Sequence, residues 1–526
     1  NEEYRVFDDP EALYQATTVS MQSGVTIDAS ATDNGNGGTV VLWSDVTDLN
    51  STTSAHGVIH TEAGAIGGDG GFIETSGATL ALSDIQISTA SIEGKTGEWL
   101  LDPTTDLHIG SLGYDTDANI ENTIETSTIV SALQNSDVRV YSNSSTCYVT
   151  SDITYTGQNF LTIDSAAALY IRADIQAGGI DLLANDELLI DSVAVTLTAN
   201  NSDATAGRVV LSSDTDGDAD GSNKFTKALT ITTQGGYVNI GGGNRQGTLY
   251  GNSNDWEGIE FRGLTINTNG GDVNIRGESD NANGLRFAGG TTINTSGGDV
   301  YMRGETENYA GIYFASNTSI NSGSGTIYLE GDNSTSTADY GIYADEDYTH
   351  TFTSSNTTSS AIKLVGNSDR GRMLQLYGDV KIYATGTGGG ITLEANGTSS
   401  STYAFLFSSG STEILANSGD ILFDAKQAGS TASLYIAHDV YLGSKSGSSV
   451  ATSASDIIIR SNKFYFNSLR PSIATSGTFT LEPVSTSTSF GQNVSTEWWS
   501  WNQNSQTLSG LTFGKSGNTR TITHET

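Results

Sequence analysis

The chain has 526 residues with 36% hydrophobic content, 62 glycines but only 4 prolines, and a formal net charge of -37 from 60 acidic and 23 basic side chains. Such a charge excludes a nucleic-acid or anionic-membrane surface, and a single cysteine, Cys147, excludes an internal disulfide framework. No apolar run is long enough to span a bilayer, and the recurring short β-branched and aromatic runs exclude a disordered chain.

The opening residues carry no leader-type segment, so the expectation is a chain matured by cleavage or taken from a longer protein. Asp9-Pro10-Glu11 has helix-cap and first-turn chemistry. Four phrases then follow in order. They are Val25-Thr26-Ile27-Asp28-Ala29-Ser30, Gly37-Gly38-Thr39-Val40-Val41-Leu42-Trp43-Ser44-Asp45, Gly67-Gly68-Asp69-Gly70-Gly71-Phe72-Ile73-Glu74-Thr75-Ser76-Gly77 and Gly94-Lys95-Thr96-Gly97-Glu98-Trp99-Leu100-Leu101-Asp102-Pro103. This run resembles the filamentous-haemagglutinin-like exoproteins of two-partner secretion, in the shaft just beyond their amino-terminal secretion domain. Later phrases, Val209-Val210-Leu211-Ser212-Ser213-Asp214 and Leu508-Ser509-Gly510-Leu511-Thr512-Phe513-Gly514-Lys515, resemble the large shaft repeats of the same family. The resemblance implies a secreted, β-helical protein, extracellular or on the outer cell surface, and an outer-membrane two-partner-secretion transporter as its export partner. Residues 1–110 are thus expected to be a filamentous-haemagglutinin-like β-helix segment, and residues 111–526 a continuing shaft with loop insertions.

Thr128 to Leu133 carries a small apolar face at helical spacing. Farther on, Asp214, Asp216, Asp218 and Asp220 alternate around Gly217. Calcium takes six to eight hard oxygens, and one turn with this spacing can supply several of them. The pattern matches the first half of an EF-hand-type loop but has no closing Glu. Two readings stand beside each other, a calcium site and a solvated acidic turn.

The most regular stretch is 258–331. Gly271-Asp272-Val273-Asn274-Ile275-Arg276-Gly277 returns 27 positions later as Gly298-Asp299-Val300-Tyr301-Met302-Arg303-Gly304, and again as Gly325-Thr326-Ile327-Tyr328-Leu329-Glu330-Gly331. Gly284-Leu285-Arg286-Phe287 and Leu264-Thr265-Ile266-Asn267 recur with nearly the same step. Each period holds three short strands with period-two alternation and three turns, which predicts an all-β fold, a right-handed parallel β-helix of about 27 residues per rung. Stacking then places Val273, Val300 and Ile327 in one interior column, Ile275, Met302 and Leu329 in a second, and Phe287 and Phe314 in a third. Arg276, Arg303 and Glu330 form an outward ladder. Elsewhere the step drifts, to 35 from Ile231 to Ile266 and 30 from Ile391 to Ile421, so insertions are expected in the turns.

Near the end, Trp498, Trp499 and Trp501 offer rings that could stack on sugars or, alternatively, pack within a wide rung. The six histidines are scattered. His56 and His60 lie close in sequence without an evident nucleophile or metal-ligand set, and no catalytic residue is nominated. The sequons at Asn50, Asn143, Asn317, Asn333, Asn356, Asn396 and Asn493 are as frequent as this composition would give by chance. Three functions are carried forward. One is a non-enzymatic adhesin shaft binding host or neighbour-cell surface ligands. The second is a structural fibre whose copies stack end to end. The third is a carbohydrate-active enzyme, which would need clustered carboxylates on one face.

Overall fold

A strand of three to seven residues with apolar side chains at alternate positions cannot bury them alone. It must stack on neighbours of the same pattern, and a chain that coils repeatedly supplies those neighbours itself. The computed structural model describes residues 16–111, 122–143, 146–218, 221–242, 257–333, 340–368, 371–397, 403–427, 433–445, 454–466, 471–487, 490, 494–495, 499, 507–522 and 524–525. The Asp9-Pro10-Glu11 turn lies outside them. Nearly all described structure is short strands, paired in parallel, and the chain divides into two units, residues 1–185 and 186–526.

The second unit is a parallel β-helix. Ile259–Phe261, Leu264–Asn267 and Val273–Ser279 make one coil, and Leu285–Phe287, Thr291–Asn294 and Val300–Thr306 make the next. Each strand pairs in register with its counterpart, Ile259 on Leu285, Leu264 on Thr291 and Val273 on Val300. Three sheets result. The first runs from Leu188–Ile190 to Lys463–Phe466, the second from Val195–Ala199 to Ser472–Ile473, and the third from Val209–Ser213 to Gly510–Phe513. The columns expected from the 27-residue step are present: Val273, Val300 and Ile327 are aligned and buried, as are Ile275, Met302 and Leu329.

The third column is longer than the repeat alone indicated. Phe225, Phe261, Phe287 and Phe314 stack with ring centroids 5.4, 5.2 and 5.1 Å apart. In the next rung the position shrinks to Ala344, while on the second sheet the isoleucine column Ile266, Ile293, Ile320 widens to Phe352. Phe352 packs edge-on against Phe314 at 5.7 Å, so volume lost from one sheet is returned by another at the same level.

Corners account for much of the acidic excess. Asp272 accepts the Asp299 N–H at 2.8 Å, and Asp299 accepts the Thr326 N–H at 2.6 Å. Asp379 and Asp456 do the same for Ser411 at 3.0 Å and Thr478 at 2.7 Å. In each case a side chain continues the inter-rung hydrogen bonding where the strand geometry stops. Buried hydroxyls close the turn between second and third sheets, with Thr295 Oγ1 donating to the Ser322 carbonyl at 3.0 Å and Ser322 Oγ to the Gly325 carbonyl at 2.7 Å. On the outer face of the third sheet Arg276 and Arg303 stand in register, and both reach Glu305, at 2.9 and 3.0 Å. Arg460 likewise spans Asp424 and Glu482, at 3.1 and 2.8 Å.

The first unit has the same parallel pairing. Thr39–Trp43, Phe72–Gly77, Glu98–Pro103, Asp137–Ser142, Leu161–Ser165 and Ile180–Ala184 stack in that order. A helix occupies Thr126–Ala132, beginning two residues before the apolar face read from the sequence, and buries Ile129, Ala132 and the following Leu133.

Where a third-sheet strand turns into the first sheet, the backbones nearly touch. A Cβ at Gly304 would lie 1.8 Å from the Gly311 carbonyl oxygen, whereas one at Gly290 would meet nothing within 4 Å. Gly304→Ala is expected to cost about 1–3 kcal/mol, as overpacking does. Gly290→Ala is expected to be neutral or stabilising by about 0.4–1 kcal/mol through the unfolded state. Urea denaturation of the two variants checks this, and equal midpoints would contradict the close approach.

Candidate functional site

The acidic turn leaves the third-sheet strand Val209–Ser213 of the second unit. Asp214 adopts a positive φ of 53° and is buried, and Gly217 follows at φ 76°, its N–H donating to the Asp214 carbonyl at 3.3 Å. Aspartate tolerates this left-handed conformation better than most side chains, which explains why the chain reverses here. The Asp214 N–H donates to the Asp186 carbonyl at 3.4 Å and ties the turn to the preceding rung.

One carboxylate oxygen from each of Asp214, Asp216 and Asp218 lies within 4.8 Å of the others. Two oxygens each about 2.4 Å from one calcium ion can be no farther apart than about 4.8 Å, so the three can share an ion. Asp220 lies outside the described residues. The structure adds Asp186, which the sequence reading missed. Burial, followed by the Asp216, Asp218 and Glu187 charges, pushes its carboxyl above the usual carboxylate range. The signal was there in principle, because Asp186 precedes Asp214 by 28 residues, close to one rung. The nearby cation, Lys224, pairs with Glu187.

The tryptophan expectation is altered. Trp499 is buried with its ring against Phe479, Phe466 and Phe464, at centroid distances of 5.0, 5.4 and 6.4 Å. A ring enclosed in this way offers no face to a sugar. Trp498 and Trp501 lie outside the described residues. Trp99 is fully buried in the first unit, where its indole N–H donates to Thr75 at 3.2 Å.

Two histidines that had no partners in the sequence acquire them from adjacent rungs. His56 Nε2 meets Ser54 Oγ at 2.7 Å and its Nδ1 meets the Ser83 carbonyl at 2.8 Å. His60 is in register between Asp28 and Ser88. This column has the composition of a hydrolytic triad but not its connections. Ser88 is buried and donates to Glu62 Oε1 at 2.5 Å, while His60 Nδ1 lies 3.4 Å from that same oxygen. The imidazole therefore does not face the hydroxyl it would have to deprotonate. Bonds from the Ser30 N–H and hydroxyl hold the Asp28 carboxyl below its usual range.

His350 and His438 are buried in the second unit, and burial pushes both imidazoles below their ordinary value. His350 leans on Phe314 and lies 3.2 Å from the Asp345 carbonyl, and His438 Nε2 meets Thr412 Oγ1 at 2.8 Å. Comparison with protein-family models and with curated proteins gives no match for this chain.

The two buried histidines set a pH dependence. The folded state holds them neutral, whereas the unfolded chain takes up protons below about pH 6.5. Their contribution is therefore complete above that pH and is lost as the pH falls below it. Urea midpoints between pH 7.5 and 5.5 should fall, and His350→Leu with His438→Leu should reduce the slope. An unchanged slope would rule the pair out.

Proposed function

We propose that this chain is a shaft segment of a secreted, non-enzymatic bacterial surface adhesin of the filamentous-haemagglutinin-like type. The observation that carries this reading is the placement of the phrases in which the resemblance lies. Thr39–Trp43, Phe72–Gly77 and Glu98–Pro103 are successive strands of one sheet, aligned residue by residue, Val40 on Ile73 and Ile73 on Trp99. Phrases that looked like separate motifs are thus one structural unit repeated. The interior columns of the β-helix are filled by apolar side chains, so binding falls to the outward columns and turns. On this reading the chain leaves the cell through an outer-membrane two-partner-secretion transporter and meets host or neighbouring-cell ligands with its lateral turns.

Adhesion is the direct test. Beads coated with the full chain should be retained on layers of cultured epithelial or bacterial cells above beads coated with an acidic protein of similar charge. Equal retention would remove the adhesin reading.

Calcium belongs to the same proposal. Asp214, Asp216 and Asp218 would hold the ion with main-chain and water oxygens completing the shell, neutralising the charge that presses on Asp186. Isothermal titration of the full chain should show calcium heat that disappears in Asp216→Asn with Asp218→Asn. Heat that persists in that variant would place the ion elsewhere, and the absence of heat in the unaltered chain would leave the turn as solvated acid.

A further inference from the structure

Parallel rungs in register lay like side chains over one another, and on the outside of the second unit this happens to tyrosine. Tyr313 and Tyr343 are aligned on the first sheet with ring centroids 4.9 Å apart and planes within 7° of parallel. Tyr301 and Tyr328 are aligned on the third sheet at 5.3 Å and 8°. All four are half-buried, so their ring edges reach solvent. In each pair one phenol is bonded to a carboxylate. Tyr313 O–H donates to Asp345 Oδ2 at 2.7 Å, and Tyr328 O–H donates to Glu330 Oε2 at 3.1 Å.

These are the parts a phenol needs for one-electron oxidation. A phenol that loses an electron becomes a strong acid, and the loss is easiest when a base already holds the hydrogen bond. Burial and the bonded carboxylate push the Tyr313 phenol well above its ordinary range, so the phenolate is not the species that reacts and the proton must leave with the electron. Two phenoxyl radicals held one above the other then combine through ring carbons ortho to oxygen.

We propose that Tyr313 and Tyr343 form an oxidative cross-linking site that joins two adjacent rungs by a carbon–carbon bond, with Asp345 taking the Tyr313 proton. Each phenol gives up one electron and one proton, Tyr343 releasing its proton to water. The new bond forms between the ortho carbons, and the hydrogen on each of those carbons moves to the phenol oxygen as the rings regain aromaticity. The product has two hydrogen atoms fewer than the two tyrosines. The oxidant is of the haem-peroxidase class, in which one hydrogen peroxide accepts the two electrons and two protons and leaves as two waters. In a chain with one cysteine this supplies a covalent tie that no internal disulfide can.

The test is oxidation of the dilute full chain with a haem peroxidase and hydrogen peroxide, followed by isolation of the monomer and cleavage before aspartate. That cleavage separates residues 299–331 from 339–344. The expected result is dityrosine fluorescence in the monomer and a linked peptide two hydrogens lighter than the sum, joined at Tyr313 and Tyr343. Tyr343→Phe keeps the ring stack and should abolish the linked peptide, and Asp345→Asn should lower its yield several-fold. The proposal fails if the bond forms mainly between separate chains, or if it joins Tyr343 to Tyr340, whose ring is 4.8 Å away in the same strand. It fails equally if the link survives Tyr343→Phe or if Asp345→Asn leaves the yield unchanged. Should either variant fold poorly by circular dichroism, the position of the link in the unaltered chain decides alone.

Discussion

The constraint on which the rest depends is the parallel, in-register pairing of each strand with its counterpart one coil later. Backbone N–H and C=O groups are satisfied between rungs about 4.8 Å apart, so every side chain has its positional equivalents as nearest neighbours. Inside, this turns the core into columns, and a change at one level must be answered at that level, as Ala344 is by Phe352. Outside, it places like beside like. Arg276 over Arg303 would repel, and the repulsion is relieved by Glu305, one position over on the diagonal, which both guanidiniums reach.

The same geometry decided what could be read from the sequence. Columns were legible between 258 and 331 because the step is constant there, so Val273, Val300 and Ile327 could be aligned by counting. The outward position of Arg276, Arg303 and Glu330 followed from alternation alone. Where the step varies, counting fails. Thr39 pairs with Phe72 across 33 residues, Phe72 with Glu98 across 26, and Glu98 with Asp137 across 39 because a helix and its flanks intervene. The meetings of His60 with Asp28 and Ser88, and of Asp186 with the turn at Asp214, depend on those variable steps and could not be foreseen. Trp499 was misjudged for a related reason, since the neighbouring sequence gives no sign that Phe464, Phe466 and Phe479 converge on it.

Acidic residues in this chain divide by location rather than by number. Many corner aspartates accept backbone N–H groups from the following rung, and several outward glutamates are held by lysine or arginine, as Glu394 is by Lys363 and Lys426. Those carboxylates are already committed. The turn at Asp214 differs in that three carboxylates converge and a fourth, Asp186, is driven upward by their charge together with its burial. Net charge alone could not have made that distinction. The fold by itself supplies no function, but it fixes which side chains are spoken for and which columns and turns remain to meet another molecule.

The aspartate corners have a direction. Asp69, Asp272, Asp299, Asp379 and Asp456 each accept from a residue later in the chain, at Lys95, Asp299, Thr326, Ser411 and Thr478. A cut between two such rungs would therefore leave unlike faces, one presenting carboxylate acceptors and the other presenting the amide donors they had held. The stack is polar in the sense that a magnet is. Joining two of the carboxylate faces would set charge against charge, whereas the opposite faces complete each other's bonds.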